Sequence, residues 1–106
     1  MTAYCLFDNV EVTDPAGMTA YVDAVHATVR AHGGRYLVVG GTTVHVEGEA
    51  VVTYPVLIEF PSLGAAREWY ASPEYAPLKA LRQASSRANA VFFESAGSPL
   101  LEASAA

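Results

Sequence analysis

The chain has almost none of the devices that small proteins use in place of a core. It has one cysteine, Cys5. A lone cysteine makes no internal disulfide and has no partner at zinc-ligand spacing. In a central strand it reads as a small inert hydrophobe. The three histidines, His26, His32 and His45, share no ligand spacing and form no H-x-x-x-H pair, so no metal site is expected. Basic residues are scarce: six Lys and Arg against eleven Asp and Glu, for a net charge of −5. With no basic run, neither nucleic acid nor an anionic membrane surface is an expected partner. No apolar run approaches the roughly 18–20 residues that span a bilayer. The opening Met1-Thr2-Ala3-Tyr4 lacks the positive charge of a signal peptide, and a cytoplasmic location is expected. The glycine pairs form neither G-x-G-x-x-G nor a P-loop, which argues against a nucleotide phosphate site.

What the chain does have is apolar material. Of 106 residues, 52% are hydrophobic and 16% are charged. A domain of this size buries only about two thirds of its unfolded surface, so its core is modest. The surplus predicts an apolar surface covered by a second subunit. A single domain over residues 1–96 is expected, with 97–106 as a small, polar C-terminal tail.

Residues 3 to 12 alternate as a strand, with Tyr4, Leu6, Asp8 and Val10 on one face and Cys5, Phe7 and Asn9 on the other. Both faces are mostly apolar, which predicts a central strand covered on both sides. Thr13 or Asp14 can cap a helix, and Pro15 suits its first turn. That helix should run from Pro15 to about His32, with Met18, Tyr21, Val22, Val25 and Val29 as its apolar stripe. Gly33-Gly34 stops it. Arg35 to Val39 reads as a second strand, with Thr42 to Val46 as its continuation beyond Gly40-Gly41. Glu47-Gly48-Glu49 reads as a hairpin turn into a third strand, Val51 to Phe60, interrupted by Pro55. Ser62 caps the next helix, Ser72-Pro73 breaks it, and a short helix restarts at Pro73 and runs to about Ser85. A last strand covers about Ala88 to Ser95, with Val91-Phe92-Phe93 buried. The order β-α-β-β-α-β predicts an α+β fold of ferredoxin-like type: a four-stranded antiparallel sheet with helices on one face. The other face is left bare and apolar. A two-fold homodimer through the sheet face would cover it.

The runs Gly33-Gly34-Arg35-Tyr36-Leu37-Val38, Gly40-Gly41 and Ile58-Glu59-Phe60-Pro61-Ser62 belong with Ala65-Ala66, Trp69-Tyr70, Ser72-Pro73-Glu74-Tyr75 and Lys79-Ala80-Leu81-Arg82. In that order and spacing they resemble the bacterial domain-of-unknown-function family numbered thirteen-thirty, of the dimeric α/β-barrel superfamily. The resemblance covers about Tyr4 to Glu94. It departs at Val39 and near Tyr54, where the family often carries basic residues. It implies the fold and the dimer but no established reaction. The superfamily includes oxygenases, isomerases and cyclases that work without a cofactor, so no cofactor is expected here.

Several side chains are candidates for chemistry. Glu59 interrupts the apolar run Val56-Leu57-Ile58-Glu59-Phe60, so it is either paired with an arginine such as Arg35 or Arg82, or a perturbed acid or base. Asp8 ends the first strand, where it can cap a loop or bind a ligand. His26 flanks the helix stripe one turn after Val22. These three are the candidate proton-transfer residues, each weighed against a structural role. Tyr21, Tyr36, Trp69 and Tyr75 are core aromatics, or else the lining of an apolar pocket between helices and sheet, with Arg82 at its mouth. Two functions fit. One is a cofactor-independent enzyme acting on a small, largely apolar metabolite. The other is a dimeric binding protein without turnover.

Overall fold

A computed structural model describes residues 1–96; the expected tail lies outside the described residues. The elements run β1 Ala3–Val12, α1 Pro15–Ala31, β2 Arg35–Val39, β3 Pro55–Phe60, α2 Leu63–Tyr70, α3 Ala76–Ser85 and β4 Ser86–Glu94. The sheet is antiparallel throughout, in the order β2-β3-β1-β4. This is the ferredoxin-like α+β arrangement, with the first strand central.

Local chemistry accounts for the helices. Gly17 donates its N–H to Asp14 Oδ1 at 3.2 Å, which caps α1, and Pro15 sits in the first turn. Tyr21, Val25 and Val29 are the buried face, at i, i+4 and i+8. Ser62 Oγ accepts from Ala65 N at 3.0 Å and starts α2. The last helix begins at Ala76 rather than Pro73. Ser72 Oγ accepts the Tyr75 N–H at 3.2 Å, so residues 73–75 form a turn that leads into α3.

One sheet face carries the core. Cys5, Phe7, Ile58 and Phe60 point to the helices, where they meet Ala66, Trp69 and Tyr75. Trp69 is fully buried; its ring lies 4.2 Å from that of Tyr75 and 5.4 Å from that of Phe60, and its Nε1–H donates to Thr28 Oγ1 at 3.0 Å. Helix α1 packs chiefly on α3. A Cβ on Gly17 would collide with Ser85 Oγ, so only glycine allows this approach. The Thr13 and Asp14 N–H groups both donate to Ser85 O, at 2.8 and 3.0 Å, and fix the α1 N-terminus there.

The other face is bare. Leu6 pairs with Leu57 on one side and Val91 on the other, and Leu57 pairs with Val38. One apolar row therefore crosses all four strands. Beside it, Phe93, Tyr4, Glu59 and Arg35 form a second row, with the Tyr4 and Phe93 rings 5.6 Å apart.

The strands differ from the sequence-based expectation in three ways. Val91 and Phe93 are not core: they are 52% and 46% exposed, and only Phe92 between them turns inward, onto Phe7 and Tyr70. Alternation forbids three successive strand residues from facing one way. For the same reason β1 is covered on one side only within the single chain. Thirdly, residues 42–46 and 51–54 are not strand, and no hairpin forms at 47–49. Positive φ at Gly40 (67°) and Gly41 (107°) turns the chain out of β2, and pairing resumes only at Pro55. The Tyr54 ring covers Gly40, where any Cβ would clash with it. At the other end of the sheet, β4 starts at Ser86, directly after α3, two residues earlier than expected.

Candidate functional site

A cavity of about 430 Å³ opens between α1 and the helix-side face of the sheet. Phe7, Val56 and Ile58 form its floor, and Met18, Tyr21 and Val25 its helical wall. Val22, Val39 and Tyr54 line it too and are each substantially exposed, which marks where it opens. The space exists because α1 is drawn onto α3 and stands off the sheet.

Besides the exposed Glu11, Thr53 and Tyr54, five polar side chains interrupt this apolar lining: Asn9, Tyr21, His26, Tyr36 and Arg82. Arg82 comes from the last turn of α3 and is 5% exposed. Its Nε–H donates to the Tyr75 hydroxyl at 3.3 Å, and its guanidinium carbon lies 5.1 Å from the centre of the Phe7 ring. The Tyr75 hydroxyl is in turn 2.9 Å from that of Tyr21. Burial pushes the Tyr21 phenol well above its ordinary range, and the neighbouring Tyr75 adds to the shift. Burial does the same to Tyr36. Both stay neutral hydrogen-bonding groups at physiological pH. The His26 ring packs on Tyr36 with centroids 4.4 Å apart.

The candidates named from sequence are divided by the fold. His26, Tyr21, Tyr36 and Arg82 converge on the cavity. Trp69 and Tyr75 are fully buried beneath it and do not line it; Tyr75 reaches it only through its two hydrogen bonds. Glu59 is on the opposite sheet face, where its Oε1 accepts from Arg35 Nε at 2.8 Å. Asp8 is buried but turned to the chain before β3. Its carboxylate accepts from Thr53 N at 3.0 and 3.1 Å and from Tyr54 N at 2.7 Å. Asp8 thereby holds Tyr54 at the cavity edge. Among the described residues no cluster of three or more His, Cys, Asp or Glu is placed to hold a metal.

Sequence reasoning marks Asn9 as a polar interruption of the first strand, on the face opposite Asp8, but gives it no role in a site. Its Oδ1 is buried and has no hydrogen-bond partner among the described residues, and the residue lines the cavity. The signal was present: alternation puts Asn9 on the Phe7 face, opposite Asp8.

The family model of DUF1330, a domain of unknown function, matches residues 2–96. The chain belongs to that family. No curated protein matches it. Among solved structures, it is similar to the RPA0582 protein of unknown function from Rhodopseudomonas palustris, at 17% identity over 91% of this chain and 83% of that one, with a TM-score of 0.69. It is also similar to SnoaB, a cofactor-independent oxygenase from Streptomyces nogalater, at 17% identity over 93% and 95% of the two chains, with a TM-score of 0.57. A dimeric protein of unknown function with a ferredoxin-like fold from Bacteroides fragilis is similar at 12% identity over 89% and 96%, with a TM-score of 0.53. At these identities the likeness is one of fold. Among the described residues no helix is long and apolar enough to cross a membrane.

Proposed function

We propose that this DUF1330 chain works as a homodimer joined through its open sheet face, and that its cavity holds a small, largely apolar metabolite on which His26 moves a proton without a cofactor. The observation that carries this reading is the cavity itself: about 430 Å³, mostly apolar, with one imidazole and one buried cation in its wall. His26 is its one imidazole among the described residues. A proton leaves a substrate carbon for an imidazole nitrogen while the C–H electron pair stays on the substrate. The imidazolium exchanges with solvent and returns a proton to another substrate atom. The net change is an isomerisation that needs no co-reactant. The apolar row on the bare face supports the dimer, as does the dimeric Bacteroides fragilis protein of similar fold. The fold similarity to SnoaB, a cofactor-independent oxygenase, supports this reading by analogy of scaffold alone.

Binding without turnover is the second reading. The placement of Glu59 and Asp8 favours it, since neither carboxylate is in the cavity wall. Incubating the protein in D2O with a bacterial metabolite extract separates the two. Enzyme-dependent deuterium at a carbon position, lost in His26→Gln, is the expected result. Retention of a metabolite on the protein with no deuterium exchange would establish the binding protein instead.

A further inference from the structure

We propose that the ligand of this cavity is a carboxylate: a small monocarboxylic acid with an apolar body, its charged end held by Arg82 and Tyr21. The proposal rests on the reading of the cavity as a small-molecule site and specifies what enters it.

The hydrogen-bond directions follow from burial. Tyr75 is fully buried, and its hydroxyl has two neighbours, Arg82 Nε at 3.3 Å and Tyr21 Oη at 2.9 Å. A guanidinium only donates. A buried O–H needs an acceptor, and Tyr21 Oη is the acceptor within reach. Tyr75 therefore receives from Arg82 and gives to Tyr21. The Tyr21 hydrogen is left over, and Tyr21 lines the cavity.

Arg82 has unused donors as well. Its guanidinium makes one hydrogen bond among the described residues, through Nε. Neither of the two ion pairs among those residues involves it, so none of their carboxylates lies within 4.0 Å. A buried cation without a counter-charge is costly, and the remedy is an anion brought from outside. Arg82 and Tyr21 both flank Tyr75, so their free donors lie near one another. A carboxylate, with two oxygens in one plane, suits a guanidinium edge and a phenol together. A neutral amide or alcohol would leave the charge uncompensated. The one carboxylate of the described residues in the cavity lining, Glu11, is paired with Arg87 at 3.5 Å.

The rest of the lining describes the rest of the ligand. Phe7, Met18, Val25 and Ile58 ask for a ring or short chain. The orphaned Asn9 Oδ1 asks for one O–H or N–H donor on it. His26 is five residues beyond Tyr21 on α1, about 7.5 Å of helix rise. The charged end is thus held away from the imidazole, and the carbon that meets His26 belongs to the body of the ligand.

The test uses the full-length protein and matched probes: octanoate, 4-phenylbutyrate and 2-naphthoate, each against its primary amide, with acetate as a control. Calorimetric titration should show the acids binding about tenfold or more tightly than their amides, the usual advantage of a charged hydrogen bond. Acetate, which lacks the body, should not bind measurably. Arg82→Met should abolish the preference for the acid, and Tyr21→Phe should reduce it. Tyr21→Phe keeps the ring and so keeps the test available where Arg82→Met does not fold. Amides that bind as well as the acids would overturn the carboxylate while leaving the small-molecule site in place. Acetate matching octanoate would reduce the effect to general anion binding and also overturn it. If no probe of either kind binds, the cavity reading fails together with this one.

Discussion

Glu59 and Arg35 meet across the β3–β2 pair, Oε1 to Nε at 2.8 Å, on the sheet face turned away from the cavity. The most conspicuous carboxylate in the sequence is thus bound to an exposed arginine, and the cavity is left without it. The Arg35 side chain is 71% exposed and that of Glu59 25%.

A pair this exposed contributes about 0–1 kcal/mol. In the dissociated chain Glu59→Gln should therefore lower stability by no more than that in urea unfolding. Ligand affinity in the cavity should stay within about twofold, since Glu59 lies on the far sheet face and touches nothing in the cavity wall. A loss of ligand binding in Glu59→Gln with the fold intact would bring Glu59 back into the site.

The row Val38, Leu57, Leu6 and Val91 predicts an interface. Val91→Glu combined with Phe93→Glu would place two unpaired charges in it, at a cost of at least about 3 kcal/mol, or roughly a hundredfold in dissociation constant. Analytical ultracentrifugation should show the dimer of the parent protein replaced by folded monomer. A parent protein that sediments as a monomer at micromolar concentration would end the sheet-face dimer.

Trp69 is a structural residue, not a ligand contact. Trp69→Ala should cost about 3–5 kcal/mol, the range for deleting a buried aromatic. Trp69→Phe keeps ring packing and loses the bond to Thr28, for about 1 kcal/mol. Urea unfolding followed by far-UV circular dichroism measures both. A Trp69→Ala protein of parental stability would contradict the core described above.

Stability should fall in alkali. Burial pushes the Cys5 thiol from its ordinary 9.0 up to about 12, and it raises the Tyr21 and Tyr36 phenols from 10.0. A raised folded-state value means the native chain keeps protons that the unfolded chain releases. This contribution is therefore complete below about pH 9 and is lost progressively as pH rises through the folded-state values. The urea midpoint should be insensitive to these groups up to about pH 8.5 and should drop by pH 10.5. In the native protein Cys5 should not react with Ellman's reagent, and it should react fully once unfolded. A midpoint that climbs above pH 9 would reverse the assignment.

Gly40 should not tolerate a side chain. At φ 67°, with the Tyr54 ring over it, Gly40→Ala must strain the backbone and displace that ring. A loss of about 1 kcal/mol or more is expected in thermal unfolding, together with weakened ligand binding, because Tyr54 borders the cavity. Parental stability in Gly40→Ala would mean that Tyr54 does not close over this glycine in solution.

Much of the fold was readable in the chain because its causes are local. Asp14 and Pro15 start α1, Gly33-Gly34 ends it, Ser62 starts α2, and period-two alternation marks β1 and β3. Alternation also carried the warning about Val91 and Phe93, which a continuous apolar run concealed. Thr42 to Val46 and Val51 to Tyr54 read as strand because their valines have strand propensity. Pairing depends on a partner, and the two turned-out glycines take this segment away from one. The site was hidden for a related reason. Nothing near Arg82 in sequence shows that it is buried with no carboxylate of the described residues beside it, or that Tyr21, 54 residues from Tyr75, shares a hydrogen bond with Tyr75. Glu59 stood out in the chain because an apolar run predicts burial, yet its place on a bare sheet face beside Arg35 was decided by register. Spacing along the chain determines which residues share a face. Only the packed structure decides which faces enclose a space, because enclosure depends on how far α1 stands from the sheet, and that distance is set by its contact with α3.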